Sequence, residues 1–312
     1  KGFLLLAFDG SVVRLPNTDE LGEEFGTLPY GNGRKNASGE RIAGEHCFAR
    51  ASVCYDVLNR IALNAALIPI RTHEITVAED QLTALHTAQV LNHKDLIIKD
   101  RGYHSYRIMA AVVQTGAHFL IRCKKGSGMQ VVDDMLVGKG SNDRIEIIAM
   151  PEHLGKREEY RGLPLEITVR FVRVKLSTGE YEVLATSVLN RTKLTRADLK
   201  ELYRLRWGIE TFYGILKTRL VLENFSGYSA EAIRQDFYAM VLLTGLESIL
   251  TRDAEAALHK QRGGYPKKVN KAVTFNPIKE RAIELFIGND PEDDDTAELT
   301  ELFMTSQGAH PE

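Results

Sequence analysis

LKELYRLRWGIETFYGILKTRL, residues 199–220, repeats apolar side chains with the period of a helix and carries two faces of different chemistry. At about 100° per residue with Tyr203 at zero, Arg206 falls near 300°, Glu210 near 340° and Lys217 near 320°. On the same wheel Leu202, Leu205, Ile209, Phe212, Leu216 and Leu220 fall between roughly 180° and 260°, the stripe of a helix packed on a core. One face buries. The other presents a carboxylate among a phenol, a guanidinium and an ammonium.

That polar set suits a phosphodiester. A Glu holds a divalent cation, and Tyr, Arg and Lys hold phosphate oxygens through charge-assisted bonds. A solvated helix face with incidental i,i+4 and i,i+7 pairs accounts for any single member equally well. Gly214, near 20° on the wheel, weighs for a site, because glycine inside a helix costs about 1 kcal/mol and leaves room for an approaching backbone. Trp207, the only Trp of the chain, borders the polar face near 40°, where stacking on a base and burial in the core are both open.

The spacing Tyr203, Arg206, Glu210, Lys217 resembles the Y-R-E-K signature of the IS4-type DDE transposases, with all four positions matched. The resemblance covers roughly residues 1–255 and also rests on DGS at 9–11 and DRGY at 100–103. The family more often has DGT or DTT at the first motif, so Ser11 is a departure that leaves the Asp intact. The resemblance implies that Asp9, Asp100 and Glu210 are catalytic and hold two Mg²⁺ ions, with Mn²⁺ able to substitute. It also implies that Tyr203, Arg206 and Lys217, with Arg101 and Trp207, contact DNA, Trp207 by stacking on a flipped base.

Composition leaves room for this. The chain has 312 residues, 44% hydrophobic and 26% charged, enough for one large core with an insertion. No apolar run approaches a membrane span, and the opening KGFLLLAFDGS is too short in its apolar part for a signal peptide. A cytoplasmic, nucleoid-associated protein is therefore expected, with a segment upstream of Lys1. Cys47, Cys54 and Cys123 are odd in number and lack CxxC spacing, against a disulfide framework or zinc. The net charge of −2 hides an asymmetry: residues 191–219 hold eight Lys/Arg against three acids, whereas 290–312 hold eight acids and no Lys or Arg.

The rest of the chain predicts an α/β fold. Gly2–Phe8 reads as a buried strand stopping at Asp9, followed by a second β-prone piece, Val12–Leu15; 16–46 reads as a long loop whose Arg34, Lys35 and Arg41 are candidates to meet DNA. Phe48–Asn59 and Arg60–Pro69 read as strands, Ala78–Leu91 as a helix, and Asp95–Lys99 as a second buried strand ending at Asp100. A helix over Tyr106–Thr115 and a strand over Ala117–Cys123 complete β-β-β-α-β-α-β, the ribonuclease H order. A mainly-β subdomain is expected over 124–190, with strands at Ile145–Ala149, Leu165–Leu176 and Tyr181–Leu189 and a bulge or strong twist where the alternation changes phase at Phe171 and Val172. Thr195 is a candidate N-cap with Asp198 three residues on. The domains are then 1–123 and 191–255 for the two parts of a ribonuclease H-like mixed-sheet core, 124–190 for the insertion, and 256–312 for a basic then acidic extension of a helical C-terminal part. The basic portion, Tyr265 included, is a candidate DNA contact, and the stretch from Asp290 is expected to be disordered.

The expected reaction is metal-dependent cleavage and strand transfer on double-stranded DNA, by a homodimer because two ends are joined in one event. A ribonuclease H-like nuclease that never joins, and a domesticated DNA-binding regulator, are the alternatives.

Overall fold

The computed structural model describes residues 2–35, 41–176, 178–260, 268–270, 274–281, 299, 301–303 and 307–308. They form a mixed α/β fold around a central mixed sheet. Its first strand, β1 (Leu4–Arg14), is buried from Leu5 to Phe8 because both faces are covered. The strand does not stop at Asp9, as its sequence suggested, but runs unbroken to Arg14.

Much of the stretch from 16 to 46, read as a loop in the sequence, is regular structure. Thr18 caps α1 (Asp19–Phe25) by accepting from the Leu21 N–H, with Asp19 and Glu20 in the first turn. β2 (Thr27–Lys35) follows and pairs with the first half of β3 (Arg41–Asp56). Gly, Asn and Pro masked this hairpin in the sequence. Arg34, Lys35 and Arg41 have side chains outside the described residues. The second half of β3 pairs with β4 (Ile61–Pro69) on that same edge, and its other edge pairs antiparallel with β1.

Two crossovers return the chain to the opposite side of β1. Helix α2 (Glu74–Thr87) leads to β5 (Asp95–Lys99), parallel to β1, and α3 (Tyr106–Gln114) leads to β6 (His118–Arg122), parallel to β5. Leu82 and Leu85 of α2 and Ile108, Met109 and Val112 of α3 pack on Leu6, Phe8, Ile97 and Phe119. Both helices thus cover one face.

Residues 124–190, expected to be an insertion, hold α4 (Gln130–Leu136), β7 (Asp143–Ala149), α5 (Glu152–Gly155), β8 (Glu166–Lys175) and β9 (Tyr181–Thr186). These strands extend the central sheet rather than forming one of their own. β9 pairs antiparallel with β6, giving the order β2-β3-β1-β5-β6-β9-β8-β7, with β4 beside β3. The expected bulge at Phe171 and Val172 is absent: β8 keeps one register with β7 through Arg144–Phe171 and Asp143–Val172. The phase change has another cause. β8 is covered on both faces there, with Phe171 in the core under α4 and Val172 in the core on the other face, and Arg170 is buried against Asp143 and the Leu194 carbonyl.

The second face is closed by α6 (Arg196–Arg204), α7 (Trp207–Gly214) and α8 (Ala230–Leu250), after which comes α9 (Arg252–Lys260). Thr195 and Asp198 form a reciprocal capping box at the start of α6, as their spacing predicts. Ala254 and Leu258 of α9 pack with Val269, Ile278, Leu299 and Phe303 in a small core of their own. Tyr265 and most of the acid-rich stretch from Asp290 lie outside the described residues. Among the described residues no helix is long and apolar enough to cross a membrane.

Candidate active site

Residues 199–220 do not form one straight helix, so the single polar stripe of the wheel is not what positions its residues. α6 ends at Arg204, and the turn at Leu205 and Arg206 is tightened by i→i−3 bonds from Gly208 N to the Leu205 carbonyl (2.9 Å) and from Ile209 N to the Arg206 carbonyl (3.1 Å). Beyond α7 the ladder widens over Ile215–Arg219, where Leu220 N reaches the Ile215 carbonyl five residues back. Packing explains the break. Leu199 is buried with Leu96, Ile98, Val172 and Leu184, whereas Ile209, Phe212 and Leu216 are buried with Ala7, Val53, Tyr55 and Phe237. The two halves meet different parts of a twisted sheet.

The glycine that matters for this docking is Gly208. A Cβ there would lie 3.2 Å from Val57 Cβ, a contact tight enough that Val57 would have to give by a few tenths of an ångström, so glycine lets α7 sit this close to the end of β3 without strain. Gly214, singled out in the sequence, has nothing within 4 Å of where its Cβ would be. Tyr213 fixes α7 from the other side. Its hydroxyl bridges the carbonyls of Asp9 (2.9 Å) and Ala51 (3.2 Å).

Asp9 stands where β1 outruns its parallel neighbour, since the β1–β5 pairing ends at Ala7 and Ile98. Asp100 is the residue after β5, and its Oδ1 accepts from Gly102 N at 2.7 Å, capping the turn Arg101–Tyr103. Glu210 comes from α7. The three carboxylates, remote in sequence, act on one another: burial pushes the Asp9 carboxyl above its ordinary range, the Gly10 N–H and Arg206 oppose that rise, and Asp100 and Glu210 add to it.

Arg206 lies between two of them. Its Nη2 donates to Glu210 Oε1 at 2.6 Å and its Nη1 stands 3.5 Å from Asp9 Oδ2, with only 8% of the side chain exposed. Burial works against that charge, while Tyr203, Glu210 and Asp9 more than compensate and hold the guanidinium protonated. The Tyr203 hydroxyl is buried with no hydrogen-bond partner, and burial pushes it up to about 12. A polar atom kept dry and unbonded beside a guanidinium is poised for an incoming acceptor.

Among the described residues, no three His, Cys, Asp or Glu side chains are grouped so as to hold a metal ion. The expected triad is therefore not preassembled, because the Arg206 fork bridges Asp9 and Glu210. The donor set itself suits a hard divalent cation, being made of carboxylate oxygens with no thiol or imidazole.

The remaining expected contacts surround this centre. Trp207 is 60% exposed, which excludes the core reading. It borders a cavity of about 560 Å³ between α6 and the inserted strands, also lined by Arg122, Leu184, Tyr203 and Arg206. Arg101 is exposed on the turn after β5. Lys217 is partly exposed, and its Nζ donates to the Val12 carbonyl of β1.

Sequence reasoning missed Lys99. It reads as the last residue of an apolar strand, yet its ammonium is fully buried without a hydrogen-bond partner, 3.9 Å from the Phe8 ring centre and 4.4 Å from that of Tyr103. Burial lowers it to about 7, against the pull of nearby Cys54, Asp9 and Glu79. A Lys directly before the strand-end Asp was the available signal.

Comparison with known proteins agrees with the resemblance at the level of the family. The transposase DDE domain matches residues 1–246. The Sinorhizobium fredii protein named "Putative transposase y4zB" is 27% identical over 157 residues, 50% of this chain and 42% of that protein, so the chain spans less than half of that relative. Among solved structures, a piggyBac transposase synaptic complex with hairpin DNA, determined by cryo-EM, aligns over 98% of this chain and 54% of that one, at 11% identity and a TM-score of 0.49. With the match running from the first strand of the sheet through the helices that carry Arg206 and Glu210, the chain belongs to the transposase DDE domain family.

Proposed function

We propose that this chain is a DNA transposase of the IS4 type, which cleaves DNA at the ends of an insertion sequence and joins them to a target by in-line phosphoryl transfer. The observation that supports the reading is that Asp9 of β1 feels the charges of Asp100, the residue after β5, and of Glu210 on α7, and shares the buried Arg206 guanidinium with Glu210. The run β4-β3-β1-β5-β6, an antiparallel meander followed by two parallel strands, supports a ribonuclease H-like core. On this reading 1–123 and 191–255 make that core, 124–190 is its insertion and 256–312 its extension.

Asp9, Asp100 and Glu210 would hold Mg²⁺ or Mn²⁺. A bound pair of such ions supplies the positive charge that orients the attacking oxygen and stabilises the leaving one. Arg206 takes part of that role in the charge balance of the pocket, and releasing its fork from Glu210 frees both Glu210 and a guanidinium for a phosphate. Tyr203 presents its unbonded hydroxyl to the same strand. Trp207, at the mouth of the adjoining cavity, offers a stacking face for a base, and Arg101 a charge for the backbone nearby. Substrate and partner are double-stranded DNA and a second copy of the chain.

The test is ordered strand transfer: incubation with pre-cut transposon-end DNA, a target plasmid and Mg²⁺ yields joined products. Cleavage without joining would instead establish a nuclease of this fold, and binding without either a DNA-binding regulator. Ca²⁺ in place of Mg²⁺ is expected to support DNA binding with little turnover, since its longer, looser coordination does not hold an in-line geometry. Equal rates in the two metals would count against the metal assignment.

Lys217 gives a graded prediction. At about 1.5 Å per residue it lies roughly 10 Å along the helix from Glu210, so its ammonium reaches a flanking phosphate. Its bond to the Val12 carbonyl is one it can exchange for that contact. Lys217→Ala is expected to lower the log–log salt slope of DNA binding by about one unit while cleavage at saturating DNA survives. An unchanged slope in titrations at several salt concentrations would sink the assignment.

A further inference from the structure

Among the described residues, no strand pairs with the far edge of the sheet. β7 is its last strand, paired with β8 along its whole length without a register shift. Arg173 N donates to the Asn142 carbonyl and Met150 N to the Leu165 carbonyl, so in this antiparallel pair the even-numbered residues of β7 turn their backbone groups to β8 and the odd-numbered ones turn theirs outward. Natural edge strands are usually blunted by proline, a bulge, or a charge on the outer face. β7 has neither of the first two, and beyond Asp143 its outer side chains are Ile145, Ile147 and Ala149, with Ile145 42% and Ile147 67% exposed. On the other face Arg144 Nη2 binds Glu146 Oε1 at 2.6 Å.

We propose that this edge is an interface between two copies of the chain, with β7 pairing antiparallel to β7 of the partner about a two-fold axis at Ile145. Charge selects the register. Centred on Ile145, each Arg144 stands opposite the partner's Glu146, so the pair within each strand becomes a four-residue network of alternating sign. The Ile145 side chains meet on the axis, on the outer face, and their outward N–H and C=O groups exchange hydrogen bonds. Centred on Glu146, the same strands would oppose two carboxylates; centred on Ile147, Glu146 would face Ile148 and Arg144 would face Met150, losing both charge pairs. The Asp143 carbonyl now accepts from Arg191 and Ser141, both on the surface, and one of these gives way to the partner's Ile147 N–H. A self-complementary patch of this kind is what a two-fold dimer requires. The site of chemistry lies several strands away, at β1 and β5, so the interface goes beyond the catalytic reading and does not need it to hold.

Sedimentation equilibrium without DNA tests it. Wild-type chain is expected to show a monomer–dimer equilibrium. Arg144→Glu and Glu146→Arg, which place like charges across the axis, should each weaken the dimer by about tenfold or more, and the double variant Arg144→Glu/Glu146→Arg should return it to near the wild-type constant. Ile145→Glu should leave a monomer. Circular dichroism and melting temperature read folding separately. A monomeric wild type, or a dimer in which the double variant is no tighter than the single ones, overturns the proposal. Strand transfer by a chain that fails this test would leave the catalytic reading standing, and a dimer without cleavage would leave the interface standing.

Discussion

Glu210→Gln is expected to reduce strand cleavage by about three orders of magnitude or more, since a lost ligand charge at a metal-assisted phosphoryl transfer forfeits several kcal/mol of transition-state stabilisation. Geometry makes the variant clean. The bond between Arg206 Nη2 and Glu210 Oε1 can be kept by the carbonyl of a glutamine, so helix α7 stays docked and only the charge changes. Asp9→Asn and Asp100→Asn should behave alike, because the amide oxygen can still accept from Gly10 N and Gly102 N respectively. DNA binding should remain near wild type in all three. A nicking assay with Mg²⁺ beside a binding titration decides it, and near wild-type cleavage by any one variant removes that residue from the triad.

The second large effect concerns stability. Lys99 takes up its proton at about 7 in the folded chain, against an ordinary 10.5. Between those values the unfolded chain binds more protons than the folded one, so the stability contributed at this position rises with pH across that window. The destabilisation is complete below about pH 7 and vanishes above about 10.5. A shift of this size corresponds to a few kcal/mol, on the order of 1.4 per pH unit. Lys99→Met, which keeps an unbranched side chain between the Phe8 and Tyr103 rings, should therefore raise the melting temperature most at pH 6–7, with the gain shrinking toward pH 10. A gain that is flat with pH, or a loss at pH 6.5, would show that the ammonium is not the strained group. That the chain keeps a costly buried Lys next to Asp100 fits a site whose charges matter more than its stability.

What the sequence made legible follows from what is local. The apolar strands β1, β5 and β6 and the capping box at Thr195 rest on short-range pattern, and the family resemblance added the connection to a transposase domain. The hairpin of β2 and β3 was read as loop because its turn-forming residues outweighed a weak alternation, although Thr18 with Asp19 and Glu20 already signalled a helix start. The wheel over 199–220 assumed an ideal helix, but tertiary packing overwound it at Arg206 and underwound it after Gly214. Gly208 could not be chosen over Gly214 from spacing, because what distinguishes them is Val57, distant in the chain. The Arg206 fork between Asp9 and Glu210 was likewise out of reach, since it joins residues whose proximity only the fold creates.

The continuity of the inserted strands with the core sheet bears on how the chain can be made and remade. β6 bonds to β5 on one edge and to β9 on the other, so until β9 has been synthesised, Leu120, Ile121 and Arg122 present an unpaired ladder above an apolar surface. During translation that is a sticky intermediate, exposed for the time needed to add the whole of 124–180. The insertion is therefore not a cassette that evolution or an engineer can lift out and replace at will. Any substitute has to end in a strand that docks antiparallel on β6 before the closing helices arrive.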